Sequence, residues 1–263
     1  MKIQIPIYQI DAFTSRVFSG NPAAVCPLKE WLDDSVMQSI ATENNLSETA
    51  FFVKEESGYC IRWFTPVREV DLCGHATLAS GFVFFKHINP DSNKVEFHSK
   101  SGLLSVTRDK EFLSLDFPAQ PPKPCTAPKV LVEGLKKEPA EVLCSEDFLV
   151  VYPSEKDIVA LRPDFSKLSE LGLRGVIATA KGDKVDFVSR FFAPTYGINE
   201  DPVTGSAHCE LTPFWADRLQ KDELHALQLS KRGGELFCRM AGDRVIISGR
   251  AVEYMKGNIT LET

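Results

Sequence analysis

Glu48 in LSETAFF, His75 in the triplet Cys73-Gly74-His75, and Asp201 in EDPVTGSA are side chains that can give and take a proton, with Cys73 and Glu200 as further candidates. Gly74 and Gly205 each open a run that reads as an apolar helix. The unpaired N–H groups of a helix's first turn carry partial positive charge, and a glycine there leaves nothing on its Cα to keep a ligand from the backbone. If the two halves of the chain face each other, both helix N-termini converge on one anion, above all a substrate carboxylate. That arrangement suits removal of a proton from the carbon beside the carboxylate, because the N–H groups stabilise the charge that flows into it.

Each residue also has a plainer reading. Glu48, between Ser47 and Thr49, could be an ordinary exposed carboxylate at the start of a strand. His75 and Ser206 could be first-turn helix residues, and Asp71 and Asp201 loop or capping acids. The Cys-Gly-His triplet is no metal motif, because no second ligand pair at a useful spacing accompanies it. Cys73 could serve as a thiolate base, since a helix N-terminus lowers a thiol pKa. A racemase with two opposed thiols would need a matching cysteine, and the equivalent place holds Thr204.

The elements that must position these groups repeat. RWFTP (62–66) and RFFAP (190–194) each end a β-rich run, and each is followed by an acidic loop, a glycine and an apolar helical stretch. Strand-like runs fall at 3–11, 22–28, 48–54, 58–65, 94–98, 101–108 and 111–117, then at 142–152, 174–180, 184–193, 226–230, 235–240 and 243–249. Long helices are expected only at 33–44, with Asp33 or Asp34 as N-cap, at 74–88 and at 205–219. Pro213 should kink or end the last of these. A sheet rolled around one central helix in each half would explain why ATLASGFVFF is apolar nearly all round. PAQPPKPCTAP (118–128) has the composition of a linker that would let the halves move. This divides the chain at 1–117 and 118–263, with the last strand free to return to the first domain.

Composition excludes several roles. A net charge of −6 without long basic runs gives no footprint for nucleic acid. MKIQIPIYQIDAF alternates like a strand and lacks the unbroken apolar core of a signal peptide, and no apolar run is long enough to span a membrane. Seven cysteines without a CxxC pair fit reduced thiols in a cytoplasmic protein. Exposed edge strands would offer a surface for a homodimer.

DAFTSRVFSGNPAAVC, LSETAFF, RWFTPVREVDLCGHATLAS, RFFAPTYGINEDPVTGSAH and SKRGGELF, in this order, resemble the signatures of the phenazine biosynthesis PhzF-like family. The resemblance implies an α+β fold of the diaminopimelate epimerase type, with two pseudo-symmetric domains, each a sheet wrapped round a central helix, and an active site in the cleft between them. It implies Glu48 as acid/base, assisted by His75 and Asp201, with Gly74, Gly205, Ser206 and Asn21 binding a small carboxylate substrate. It further implies an isomerase that uses neither metal nor organic cofactor. A cysteine-based amino-acid racemase and a non-catalytic binding protein on the same fold stand as alternatives.

Overall fold

The computed structural model describes residues 2–56 and 58–262. The chain forms two compact units, Met1–Asp116 with Ser248–Thr263, and Phe117–Ile247. Both are of mixed α and β type, rich in sheet and poor in helix.

The first unit contains β1 (Lys2–Ala12), β2 (Asn21–Leu28), α1 (Asp34–Asn44), β3 (Glu48–Glu55), β4 (Gly58–Phe64), β5 (Glu69–Val70), α2 (Gly74–Val83), β6 (Lys94–Ser99), β7 (Gly102–Asp109), β8 (Phe112–Pro118) and β18 (Ala251–Glu262). β3 reads as an unbroken apolar run because it is covered on both faces. On one face Phe51 packs with Met37, Ile40 and Ala41 of α1. On the other lies α2, which also touches β1, β2, β7 and β18 and is buried at nearly every position. Gly81 makes this possible, since a Cβ there would come within 2.7 Å of Val106 in β7. The helix expected over 74–88 keeps α geometry only to Val83. Residues Phe84–Ile88 widen into a π-turn, closed by the Asn89 N–H donating to the Phe84 carbonyl. α1 begins at Asp34 with Asp33 as N-cap residue, but the Asp33 side chain makes no capping bond.

The second unit contains β9 (Lys123–Pro124), α3 (Lys129–Leu135), β10 (Glu141–Cys144), β11 (Phe148–Val151), α4 (Glu155–Ala160), α5 (Phe165–Leu168), β12 (Val176–Lys181), β13 (Phe187–Ala193), β14 (Ile198–Asp201), α6 (His208–Leu219), β15 (Glu223–Gln228), β16 (Gly234–Ala241) and β17 (Arg244–Gly249). Three expectations are corrected by the structure. The single strand at 142–152 is a hairpin, β10 and β11, turned at Ser145–Asp147. The linker 118–128 is tied down: Ala119 and Gln120 donate to the carbonyls of Asp243 and Cys209, and β9 pairs with β10. α6 begins at His208, after a turn over 205–207. Pro213 lies inside α6 without ending it. Because Pro213 has no N–H, the Cys209 carbonyl four residues back is left over, and the Gln120 N–H takes it at 2.9 Å.

The two units repeat one topology. In the first, β1, β2, β3, β4, β6 and β7 are neighbours in that order, joined antiparallel, parallel, antiparallel, parallel and antiparallel. In the second, β10, β11, β12, β13, β15 and β16 follow the same alternation. The short strands β5 and β14 add to β4 and β13, and the central helix follows each. RWFTP and RFFAP therefore end equivalent strands.

Candidate active site

In the first unit, the apolar burial of β3 carries Glu48, its first residue, into the interior, where it is only 9% exposed. His75, in the first turn of α2, places Nε2 3.1 Å from Glu48 Oε2, an ion-pair distance without the alignment of a hydrogen bond. Its other nitrogen, Nδ1, lies 3.2 Å from the amide of Asn21 and 3.5 Å from the thiol of Cys73. Glu48, His75, Asn21 and Gly74 are thus gathered in one buried cluster. Burial opposes a charge on His75, but the negative charges that Cys73 and Glu48 can carry beside it outweigh that cost and raise its pKa well above 6.5; at neutral pH, where Cys73 is a thiol, Glu48 supplies that charge. Asn21 serves either protonation state of the ring, since a half-turn of its amide exchanges donor for acceptor. Burial, then the Glu48 charge, pushes the Cys73 thiol up to about 11.

The loops that lead to the two central helices are held by the same device. Arg62 of RWFTP grips Glu69 of β5 through Nε and Nη2, at 2.8 and 2.9 Å. Arg190 of RFFAP grips Glu200 of β14 through the same two nitrogens, at 2.6 and 2.9 Å. Each guanidinium also lies over the aromatic ring two residues on, Phe64 or Phe192. Glu200, a candidate proton carrier by sequence, is thereby a structural partner of Arg190.

In the second unit, Asp201 ends β14 and is buried. Its carboxylate accepts a 2.5 Å hydrogen bond from the Thr204 hydroxyl. Gln228 in β15 fixes this loop from behind: it accepts from the Thr204 N–H and donates to the Asp201 carbonyl and to Thr204 Oγ1. Ser230 of SKRGGELF donates to the Pro202 carbonyl, which gives that motif a structural task. Gly205 and Ser206 belong to the turn before α6 and not to the helix itself. Arg174 Nη1 donates to Ser206 Oγ at 2.8 Å, while its other two nitrogens pair with the fully buried Asp147. Asp147 in turn donates its backbone N–H to Glu210, whose pKa is raised to about 8 chiefly by burial. Sequence reasoning missed Arg174, Asp147, Glu210 and Gln228.

Register relates the two clusters. Phe51 stands opposite Arg62, and Ala178 opposite Arg190, so Glu48, three residues before Phe51, corresponds to Gly175. A Cβ on Gly175 would come within 2.6 Å of the Phe191 ring and 2.8 Å of the Phe192 carbonyl oxygen. No side chain fits there, and the second unit has no counterpart of the Glu48 carboxylate at that register.

Among the described residues, Glu48, Cys73 and His75 form a group that could offer a metal one oxygen, one sulfur and one nitrogen donor, with atoms within 4.8 Å of one another. The elevated Cys73 pKa works against a thiolate ligand at neutral pH. Among the described residues, no helix is long and apolar enough to cross a membrane.

The family model for phenazine biosynthesis-like proteins, PhzC-PhzF, matches residues 10–257. The chain belongs to this family. It is 52% identical over 259 residues to an uncharacterized isomerase of Pseudomonas aeruginosa, covering 98% of this chain and all of that protein. It is also similar to the crystal structure of a PhzF family protein from Enterococcus faecalis, with a TM-score of 0.96 at 48% identity, covering 98% of this chain and all of the other. A hydroxyproline epimerase from Agrobacterium vitis shares the fold at 9% identity, with a TM-score of 0.65 over 99% of this chain and 93% of the epimerase. The fold thus extends to a protein named as an epimerase.

Proposed function

We propose that this protein is an isomerase of a small carboxylate-bearing substrate, in which Glu48 removes a proton from carbon and returns it at another carbon or on the other face, without a metal or organic cofactor. The observation that carries this reading is the buried pairing of Glu48 with His75, set against Gly175 at the equivalent register. One carboxylate with one imidazole partner fits a proton shift by a single base better than removal and return by two opposed bases. The similarity to a protein named as an isomerase supports the same class.

In this mechanism the charged His75 balances the Glu48 carboxylate until the carboxylate takes up the substrate proton. His75 Nε2 already carries its proton beside the same oxygen, so Glu48 itself holds the substrate proton before its return. Asp201, Gly205 and Ser206 act in the same reaction, Gly205 and Ser206 as binders of the substrate carboxylate and Asp201 as a proton relay or orienting group. Acid/base work of this kind accounts for roughly 10²- to 10⁴-fold in rate, and positioning supplies the rest. The seven free cysteines fit a reducing, cytoplasmic setting.

The test is solvent exchange. The protein is incubated in D₂O with a panel of α-amino, cyclic and aromatic-precursor carboxylates, and mass spectrometry and chromatography follow carbon-bound deuterium and isomer formation. Glu48→Gln keeps the shape of the side chain and should fold normally, with both signals reduced at least about a hundredfold. Wild-type turnover in the folded variant would remove Glu48 from the chemistry.

A further inference from the structure

In both copies of the repeat, the residue after the glycine pairs with a charged side chain that lies just before or at the start of the equivalent strand. In the first unit His75 pairs with Glu48, and in the second Ser206 pairs with Arg174. Arg174 directly precedes Gly175, the counterpart of Glu48. The duplicated motif therefore carries an anion in one copy and a cation in the other.

The fork of Arg174 is divided in a way that bears on Ser206. Nε and Nη2 are committed to Asp147, and the guanidinium packs over Phe191, which leaves Nη1 for the serine. A hydroxyl oxygen that accepts from a guanidinium has its own hydrogen directed elsewhere and is polarised into a stronger donor. Asp147 is itself fixed, through its backbone N–H to Glu210 and through its carboxylate to Arg174, so the chain of contacts runs from inside α6 to the turn before it.

We infer that Arg174, held by Asp147, is a positioning residue that orients and polarises the Ser206 hydroxyl as a donor to the carboxylate of the ligand. This rests on the reading of Ser206 as a carboxylate binder. It gives the second copy of the repeat a device for anion recognition, while the first carries the base, Glu48.

Benzoate is the test probe, with benzamide as its uncharged counterpart, each titrated by NMR into the whole protein. The variants are Ser206→Ala, the charge-balanced double Arg174→Gln/Asp147→Asn, the triple that combines them, and Arg174→Lys. Melting temperature checks that each is folded. Ser206→Ala should weaken benzoate about tenfold or more, the double variant should match it, and the triple should lose no more, because Arg174 acts through the serine. Arg174→Lys keeps the charge without the fork and should fall between. Benzamide should respond far less. A folded double variant or Arg174→Lys that both bind benzoate like wild type while Ser206→Ala does not would overturn the role of Arg174 alone, as would additive losses in the triple. Wild-type affinity in Ser206→Ala, or no preference of the wild type for benzoate over benzamide, would overturn the carboxylate reading of Ser206 and this inference with it.

Discussion

His75 Nε2 stands 3.1 Å from Glu48 Oε2, and neither buried atom has a hydrogen-bond partner among the described residues. A buried ion pair held at this distance without the alignment of a hydrogen bond sets attraction between the charges against the cost of desolvation, and groups so perturbed cluster at sites of chemistry.

The raised His75 pKa makes a prediction with a definite sign. The folded state holds the proton on His75 more tightly than the unfolded state, so this contribution to stability is complete below about pH 6.5 and is lost as pH rises from there through the elevated folded value. Melting temperatures of wild type and His75→Gln, compared between pH 6 and pH 10, should therefore converge as pH increases. Parallel curves would show that the ring is not charged in the folded protein.

Cys73 decides between one carboxylate base and a thiol base. With its pKa pushed up to about 11, only about one Cys73 in 10⁴ is a thiolate at pH 7. Cys73→Ala should keep solvent exchange and turnover, and iodoacetamide at neutral pH should leave the wild type active. Loss of exchange in a folded Cys73→Ala variant would restore the cysteine-based racemase.

Glu210 gives a second pH signature, in the other unit. Its pKa rises from an ordinary 4.5 to about 8 on folding. The folded state thus binds the extra proton between those values, and stability falls across that window by up to about 1.4 kcal/mol per pH unit. Glu210→Gln retains an oxygen for the Asp147 N–H and removes the titration. Its urea-unfolding free energy should gain on wild type from pH 5 to pH 8 and run level above that. A constant difference over the window would show that Glu210 is already ionised in the folded state.

Gly175 tests the asymmetry of the repeat. Gly175→Ala drives a methyl group toward the Phe191 ring and the Phe192 carbonyl oxygen, and should cost about 1–3 kcal/mol in urea unfolding. An unchanged midpoint would mean that the second copy has room for a side chain where the first carries Glu48.

The repeat was legible because its marks are local: an arginine, aromatic residues and a proline at the end of a strand, then glycine and an apolar run. Glu48, His75 and Asn21 lie together because β2, β3 and the start of α2 are neighbours in one unit. Arg174 and Asp147 escaped notice because their partners are far along the chain: Asp147 meets Glu210 across 63 positions and Arg174 meets Ser206 across 32. Only the sheet register joins them. β18 escaped because its alternation is interrupted by Lys256, Gly257 and Asn258, and its place is set by pairing with β1 along its whole length. α3, α4 and α5 are too short for a helical period to emerge, although Ser154 and Asp157 form a capping box at the start of α4. The helix continues past Pro213 with its missing donor made good by Gln120, a residue assigned to the linker.

The paired arginine clamps have a consequence for how such a protein diversifies. Because Arg62 and Arg190 each lock a neighbouring glutamate through two bonds, the path of the chain toward the helix is secured by residues that take no part in what the helix start displays. Shape and cargo are inherited separately. One copy could exchange an imidazole for a hydroxyl, and a carboxylate for a bare backbone, without the loop collapsing, so a new substrate can be reached by a few substitutions on a frame that does not have to be rebuilt.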